Sequence, residues 1–450
     1  MITTQEKKRY AAVGTGGRLP MFIDPLVRDY SRHGELVGLC DVSETRLNVH
    51  RNRLVEEYGC RDLPLFPASK FERMLGETRP DVVFVCTVDA FHHEYIIKAV
   101  EFGCDVVTEK PMTVDETKCR AILEAVERTG RKVRVAFNYR WAPGASRVRE
   151  SIASGVIGTV RSVAMEYMLN TSHGADYFRR WHSYKNLSGG LLVHKATHHF
   201  DLVNWWIDAI PRQVFSYGDL VFYGKDNAIA RGDEALTRYP RYAGVPGDVN
   251  DPFRLDITKG NLKKLYYDAE KDSGYIRDEN VFREGIDIED SMSVLVKYRT
   301  GATLTYSLNA FCPVEGFRVS FNGDRGRIDY LERHASHIIS GQSDRELARE
   351  QAGEARCEEL TITPHFEKSH RVEIPVADGG HGGGDPLLQR RIFDPDAAPD
   401  PLKRDAGHEQ GAASVLVGVA ANHSMTSNQP VAILDLVSLK PDARHLHELV

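Results

Sequence analysis

Lys8-Arg9-Tyr10-Ala11-Ala12-Val13-Gly14-Thr15-Gly16-Gly17-Arg18 decides the reading of this chain. A short apolar run ending in closely spaced glycines is how a nucleotide-binding sheet begins. The glycines let the backbone turn tightly and approach a pyrophosphate, whose charge then faces N–H groups at a helix N-terminus. A bound dinucleotide narrows the chemistry to a few reactions, hydride transfer first among them. The pattern G-x-G-x-x-G is broken at its third glycine, where Leu19 stands. Leu19 predicts a helix pushed outward from the strand. Pro25 predicts a break, with Asp24 and Pro25 as N-cap and first residue of a displaced helix.

Working outward, Leu36–Cys40, Asp81–Cys86, Asp105–Thr108 and Lys132–Ala136 read as further strands. Asp81–Cys86 is continuously apolar, as a strand covered on both faces must be. Helical patterns fill 92–102 and 115–129, the second with Asp115 as N-cap and Gly130 as stop. Alternating strands and helices imply a parallel sheet with right-handed crossovers. Residues 1–136 are therefore expected to form a dinucleotide-binding domain. After about residue 140 the strands lengthen and alternate, at 160–168, 214–222, 291–298 and 302–310. The fold class is α/β: a Rossmann domain, then an α+β domain over 137–450 with a large, mostly antiparallel, open-faced sheet. Two stretches read as insertions, 224–286 (polar, with little periodicity) and 340–412 (charged, rich in Gly and Pro).

The composition narrows the function classes. The chain has 450 residues, 42% of them hydrophobic and 27% charged, which suits a globular protein of two domains. A net charge of -6 without a basic face argues against nucleic-acid partners. No apolar run approaches the ~20 residues of a membrane span, and Lys7 and Arg9 leave no signal-peptide core. Seven scattered cysteines without a C-x-x-C pair suit reduced thiols in a cytoplasmic protein.

Asp41 ends the second strand. A carboxylate there accepts hydrogen bonds from the adenosine ribose and repels a 2′-phosphate, favouring NAD over NADP. Arg46 nearby works against that preference, and Asp41 also suits a helix start at Ser43. Thr87-Val88-Asp89-Ala90-Phe91-His92 and Glu109-Lys110-Pro111 follow strands at their C-terminal ends, where open α/β sheets bind ligands. Lys110 there can polarise a hydroxyl or carbonyl. Pro111 is a candidate cis bond that aims it. A plain surface turn would use the same three residues.

In Ser188–Trp206, a continuous helix would put His194, His198 and Asp201 on one face. Three readings stay open: an imidazole that takes a hydroxyl proton, a His-x-x-x-His metal pair, and a satisfied cluster at a domain interface. Upstream, His173, Asp176, Tyr177, Arg180, Trp181 and His182 mix aromatic and polar groups as a carbohydrate site does. Tyr275, Arg277 and Asp278 carry a weaker form of the same pattern.

Together these positions resemble the glucose–fructose oxidoreductase/inositol dehydrogenase (Gfo/Idh/MocA) family. The residues that carry the likeness run from Gly14 to Arg18, then Asp41, Thr87 to His92, Glu109-Lys110-Pro111, Asn138-Tyr139-Arg140, Gly155 with Gly158, and His198 to Asp201. The resemblance covers about residues 9–215. It extends loosely through 291–330 and Gln429-Pro430-Val431. It implies NAD(P)-linked chemistry at a carbinol carbon of a sugar, cyclitol or glycoside, and homo-oligomers formed through the sheet. It implies Lys110 and His198 as catalytic, with His194 beside them and no metal. Gly14, Gly16, Gly17, Arg18, Asp41, Thr87, Asp89, His92, Glu109, Lys110 and Asn138 would hold the coenzyme. Arg140, His173, Tyr177, Arg180, His182, His194 and Asp201 would meet the substrate. His194 stands where the family's dehydrogenases usually carry an Asp. Some relatives with altered sites are NAD-dependent glycoside hydrolases that return the hydride, which makes that reaction the alternative expectation.

Overall fold

The computed structural model describes residues 7–246, 251–335, 357–377 and 380–449. The start of the second expected insertion, 340–356, and Gly379 lie outside them. The chain forms two compact units. One comprises Met1–Ala142, Ile257–Arg277 and Asp378–Ala412; the other comprises Pro143–Asp256, Asp278–Ala377 and Ala413–Val450. Part of each expected insertion thus belongs to the N-terminal unit.

In that unit β1 (Lys8–Val13), β2 (Gly34–Asp41), β3 (Leu65–Pro67), β4 (Val82–Val85), β5 (Asp105–Thr108) and β6 (Val133–Val135) form one parallel sheet in the order β3-β2-β1-β4-β5-β6. The order reverses at β1, so the glycine turn after Val13 lies at the switch point where such sheets bind ligands. The caps read from sequence are present. The Asp115 side chain accepts the Lys118 N–H at 2.8 Å, and Gly130 ends that helix, Glu116–Thr129, at φ 65°.

The first helix differs from expectation. α1 (Pro20–Arg28) starts directly after Leu19 with Pro20 at its first turn, and Pro25 lies inside it. Leu19 is not displaced outward but is fully buried in the core with Phe22, Ile23 and Phe84. Pro25 brings no N–H for the carbonyl of Met21, and the Gln389 side-chain amide supplies it at 2.9 Å. Gln389 sits on the helix Gly380–Phe393, in a stretch expected to be structureless. Leu388 and Phe393 of that helix are buried against Tyr10 and Phe84, a burial of about 2 kcal/mol per side chain. The glycines and Pro386 of its first turns hid this apolar face from a reading by composition.

The second unit is built on one sheet of β7 (Val160–Asn170), β8 (Pro211–Asp219), β9 (Ser291–Tyr298), β10 (Thr303–Cys312), β11 (Glu315–Gly323), β12 (Gly326–Ala335), β13 (Cys357–Pro364), β14 (His370–Val372) and β15 (Val431–Ala432), in the order β14-β13-β12-β11-β7-β10-β9-β8-β15. Only the β7–β10 pair is parallel among these described strands. Alternation shows directly in burial: Leu304, Tyr306 and Leu308 face inward while Thr303 and Thr305 are exposed. The helix Thr197–Trp206 packs on the inner face, with Phe200 against Tyr306 and Trp206 against Phe321. β8 ends before the expected 222. The Asp290 carboxylate accepts the N–H groups of Val221, Phe222 and Tyr223, which draws the chain off the sheet.

Candidate active site

The N-terminal unit shapes a dinucleotide cradle. Gly14 has φ +89°, and a Cβ there would lie 2.4 Å from the Cys86 carbonyl group, so only glycine lets the turn close on β4. The N–H of Gly17 donates to the Tyr266 hydroxyl at 3.0 Å, so an oxygen already sits on the turn. The glycine turn at a helix start fits a pyrophosphate.

Asp41 is buried and heavily engaged. Its Oδ2 accepts the Thr15 N–H at 2.5 Å, and its Oδ1 accepts Ser43 N–H at 2.7 Å. Arg46, the cation that blurred the choice of coenzyme, is itself buried and bonded to Asp41 Oδ1 at 2.7 Å. From the C-terminal end of β2, Asp41 therefore anchors the turn into α2 (Glu44–Tyr58).

The ends of β4 and β5 are tied together. The Lys110–Pro111 bond is cis, as expected. His92 is fully buried, and its ring faces the Pro111 carbonyl from Nδ1 at 2.8 Å and the Thr87 carbonyl from Nε2 at 3.1 Å. Burial pushes its pKa down. With no exposed surface, His92 lies between the Thr87 and Pro111 loops. Arg18 Nε donates to Glu109 Oε1 at 2.6 Å, and Asn138 Nδ2 to Asp385 Oδ1 at 2.6 Å. A Cβ on Gly384 would come 2.3 Å from the Asn138 carbonyl oxygen, which explains the glycine before Asp385. The half-buried Lys110 side chain thus rises from a loop whose neighbours are all tied down. Arg140, expected at the substrate, is fully buried with Nη1 on Gln410 Oε1 at 2.8 Å. It is a core residue in this structure.

In the second unit the histidine stretch is not one helix. Leu191–His194 and Thr197–Trp206 are separate, with a turn at Lys195-Ala196. His194 therefore does not share one continuous helix with His198 and Asp201. The aromatic-polar cluster does: the His182 and His194 rings meet edge to face at 4.2 Å, Trp181 stacks on His182 at 3.6 Å, and Tyr177 lies 5.5 Å from both His182 and His194. Arg180 lies over the Tyr177 ring at 5.6 Å. His173 links this group to the sheet, with Nε2 3.2 Å from the Tyr177 hydroxyl and Nδ1 2.8 Å from Glu315. Asp201 is buried and accepts the Ser414 hydroxyl at 3.1 Å. His198 is buried at 3% exposure, while its neighbour His199 is a core residue, bonded to Tyr306 at 2.7 Å and stacked on Tyr167.

Among the described residues, the group whose ligand atoms gather within 4.8 Å is Asp208 with His445 and His447, not the helix residues of the metal reading. Sequence reasoning missed Tyr266, Asp272 and Asp385, which come from the insertions. It also passed over Lys195, a buried lysine whose ammonium lies 5.0 Å over the Tyr167 ring. A lysine inside an apolar run was the available signal.

Residues 8–137 match the profile of an oxidoreductase family's NAD-binding Rossmann fold, and residues 149–433 match that family's C-terminal alpha/beta domain. The chain belongs to the Gfo/Idh/MocA oxidoreductase family. It is an NAD(P)-dependent oxidoreductase of this group. YteT of Bacillus subtilis (strain 168) is 36% identical over 93% of this chain and 96% of its own length. D-glucoside 3-dehydrogenase of Escherichia coli (strain K12) is 32% identical over 28% of this chain and 34% of its own. The WlbA dehydrogenase of Bordetella pertussis, solved with NADH and UDP-GlcNAcA, shares the fold with a TM-score of 0.61 at 16% identity, over 95% of this chain and 99% of that one. In this Gfo/Idh/MocA chain no described helix is long and apolar enough to cross a membrane.

Proposed function

We propose that the protein oxidises a secondary hydroxyl of a sugar, cyclitol or glycoside, with NAD rather than NADP as acceptor. The observation that carries the reading is the Glu109-Lys110-Pro111 turn at the sheet's switch-point side, braced by Arg18 and His92 next to a glycine cradle. The name of the E. coli relative, a glucoside dehydrogenase, supports the substrate class. When bound, the nicotinamide supplies a hydride acceptor.

The chain's own residues supply the rest. The glycine turn over Gly14, Gly16 and Gly17 lets the backbone approach the pyrophosphate closely, with Arg18 beside it. The Lys110 ammonium stabilises negative charge on the substrate oxygen. His198 takes the hydroxyl proton, and His194 orients the sugar. The cluster of Tyr177, Arg180, Trp181 and His182 offers ring faces to C–H groups and polar atoms to hydroxyls. The protein acts on a small carbohydrate and self-associates through the outer face of the large sheet, where Leu295 and Tyr217 stand exposed.

Purified protein is incubated with a panel of sugars, cyclitols and aryl glycosides, with NAD, while NADH and aglycone are followed together. NADH is expected to accumulate in step with oxidised product. Aglycone release without NADH, or no reaction across the panel, overturns the proposal.

A further inference from the structure

The segment Ile257–Arg277 belongs to the N-terminal unit although most of the second unit's sheet follows it in the chain. It is anchored there at two points. One is the Tyr266 hydroxyl on the Gly17 N–H. The other is Asp272, whose Oδ2 accepts the Ser43 hydroxyl at 2.6 Å and the Thr45 N–H at 2.9 Å. Ser43 is the N-cap of α2, a helix of 15 residues, and Thr45 is in its first turn. The first turn of a helix presents unsatisfied N–H groups and the positive end of its dipole, and it binds anions. Here a carboxylate from the same chain already fills that position. Partial burial disfavours its charge, but the Ser43 and Thr45 donors outweigh this and hold its carboxyl below the usual range.

The location matters because α2 follows directly on Asp41, at the end of β2, where the adenosine ribose of a bound dinucleotide lies. A 2′-phosphate projects from that ribose and needs hydrogen-bond donors or a cation in its place. The donors beside it are taken by Asp272. The nearby cation, Arg46, is bonded to Asp41. The phosphate would therefore meet the Asp272 carboxylate on the helix-start donors and a cation already paired with Asp41, and such like-charge contact is costly.

We propose that Asp272 is a coenzyme-specificity residue: by occupying the α2 N-terminus beside Asp41 it excludes a 2′-phosphate, so that the site takes NAD and rejects NADP. This rests on the coenzyme reading above. It assigns the discrimination to a segment far along the chain from the glycine turn, in addition to the carboxylate that ends β2.

Isothermal titration of NAD+ and NADP+ into the full-length protein tests it. The wild type is expected to bind NAD+ about a hundredfold more tightly than NADP+. Asp272→Ser is expected to tighten NADP+ by about tenfold and to leave NAD+ within about threefold. Asp272→Asn, which keeps the shape and removes the charge, moves NADP+ in the same direction, and it decides the matter if the serine variant fails to fold. Unchanged NADP+ affinity in both variants, or a wild type that binds the two coenzymes equally, overturns the assignment. A wild type that binds neither overturns the coenzyme reading itself, which separates the two failures before any variant is made.

Discussion

The Gln389 side-chain amide donates to the Met21 carbonyl at 2.9 Å, the acceptor that Pro25 leaves without a donor inside α1. A proline in a helix interior costs most of its penalty through that orphaned carbonyl and the local clash. Gln389→Leu should therefore destabilise the protein by about 1 kcal/mol, the cost of leaving a half-buried acceptor unpaired. In a Pro25→Ala background, where the alanine brings its own N–H, the same change should cost much less. Denaturant unfolding of the four proteins in this cycle reads the difference. Equal costs in both backgrounds would remove the compensation argument.

Lys110→Met should lower kcat by about 10²–10³, the scale of losing one charge stabiliser, while the Kd for NAD+ changes by less than about threefold. Steady-state kinetics on the panel's best substrate and a binding titration check this. Wild-type turnover in the variant would strip Lys110 of its role.

Gly14→Ala places a Cβ 2.4 Å from the Cys86 carbonyl at a φ of +89°. Two penalties add there, backbone strain of order 1–3 kcal/mol and an overlap that forces β4 away. We expect a lower Tm and a loss of dinucleotide affinity. Gly103→Ala is the control for φ alone: Gly103 also has positive φ but nothing within 4 Å of its Cβ position. It should lower Tm less and leave binding intact.

Two histidines set opposite limits on pH stability. Burial opposes charge on His334, but Glu315 and Glu332 raise its pKa to about 9. Its contribution is complete below its unfolded value of ~6.5 and is lost as pH rises through about 9. Burial lowers His50 to about 4, so the stability from keeping it neutral is complete above ~6.5 and is lost as pH falls toward 4. Tm should decline on both sides of a maximum near pH ~6.5. His334→Gln should flatten the alkaline limb and lower the neutral Tm by a few degrees, roughly a 1 kcal/mol effect. Scanning calorimetry between the two limits checks it; an unchanged alkaline slope would show that His334 carries none of it.

The local signals were legible where physics is local. Asp115 and Gly130 bound the helix Glu116–Thr129 because a cap needs only its own turn, and alternation over Ala302–Leu308 showed which side chains face inward because a strand's period is a property of its backbone. Lys110-Pro111 was legible because its tripeptide falls at a strand end. The same reasoning failed at the helix Gly380–Phe393, whose glycines and Pro386 read as loop, and at Pro25, which read as a helix start. In both places the deciding partner lies hundreds of residues away.

By itself, then, the order of residues determined a glycine turn after an apolar strand, the alternation of strands and helices, and a second domain of long alternating strands, since each follows from backbone sterics and the spacing of apolar side chains. Only the folded chain decided that Gln389 makes Pro25 tolerable, that Arg140 is core, that His194 and His198 stand on separate helices, and that Tyr266 and Asp272 reach the coenzyme cradle. Hydrogen bonds and charge pairs between distant segments have no periodicity to betray them, and they exist once packing has brought their partners within reach.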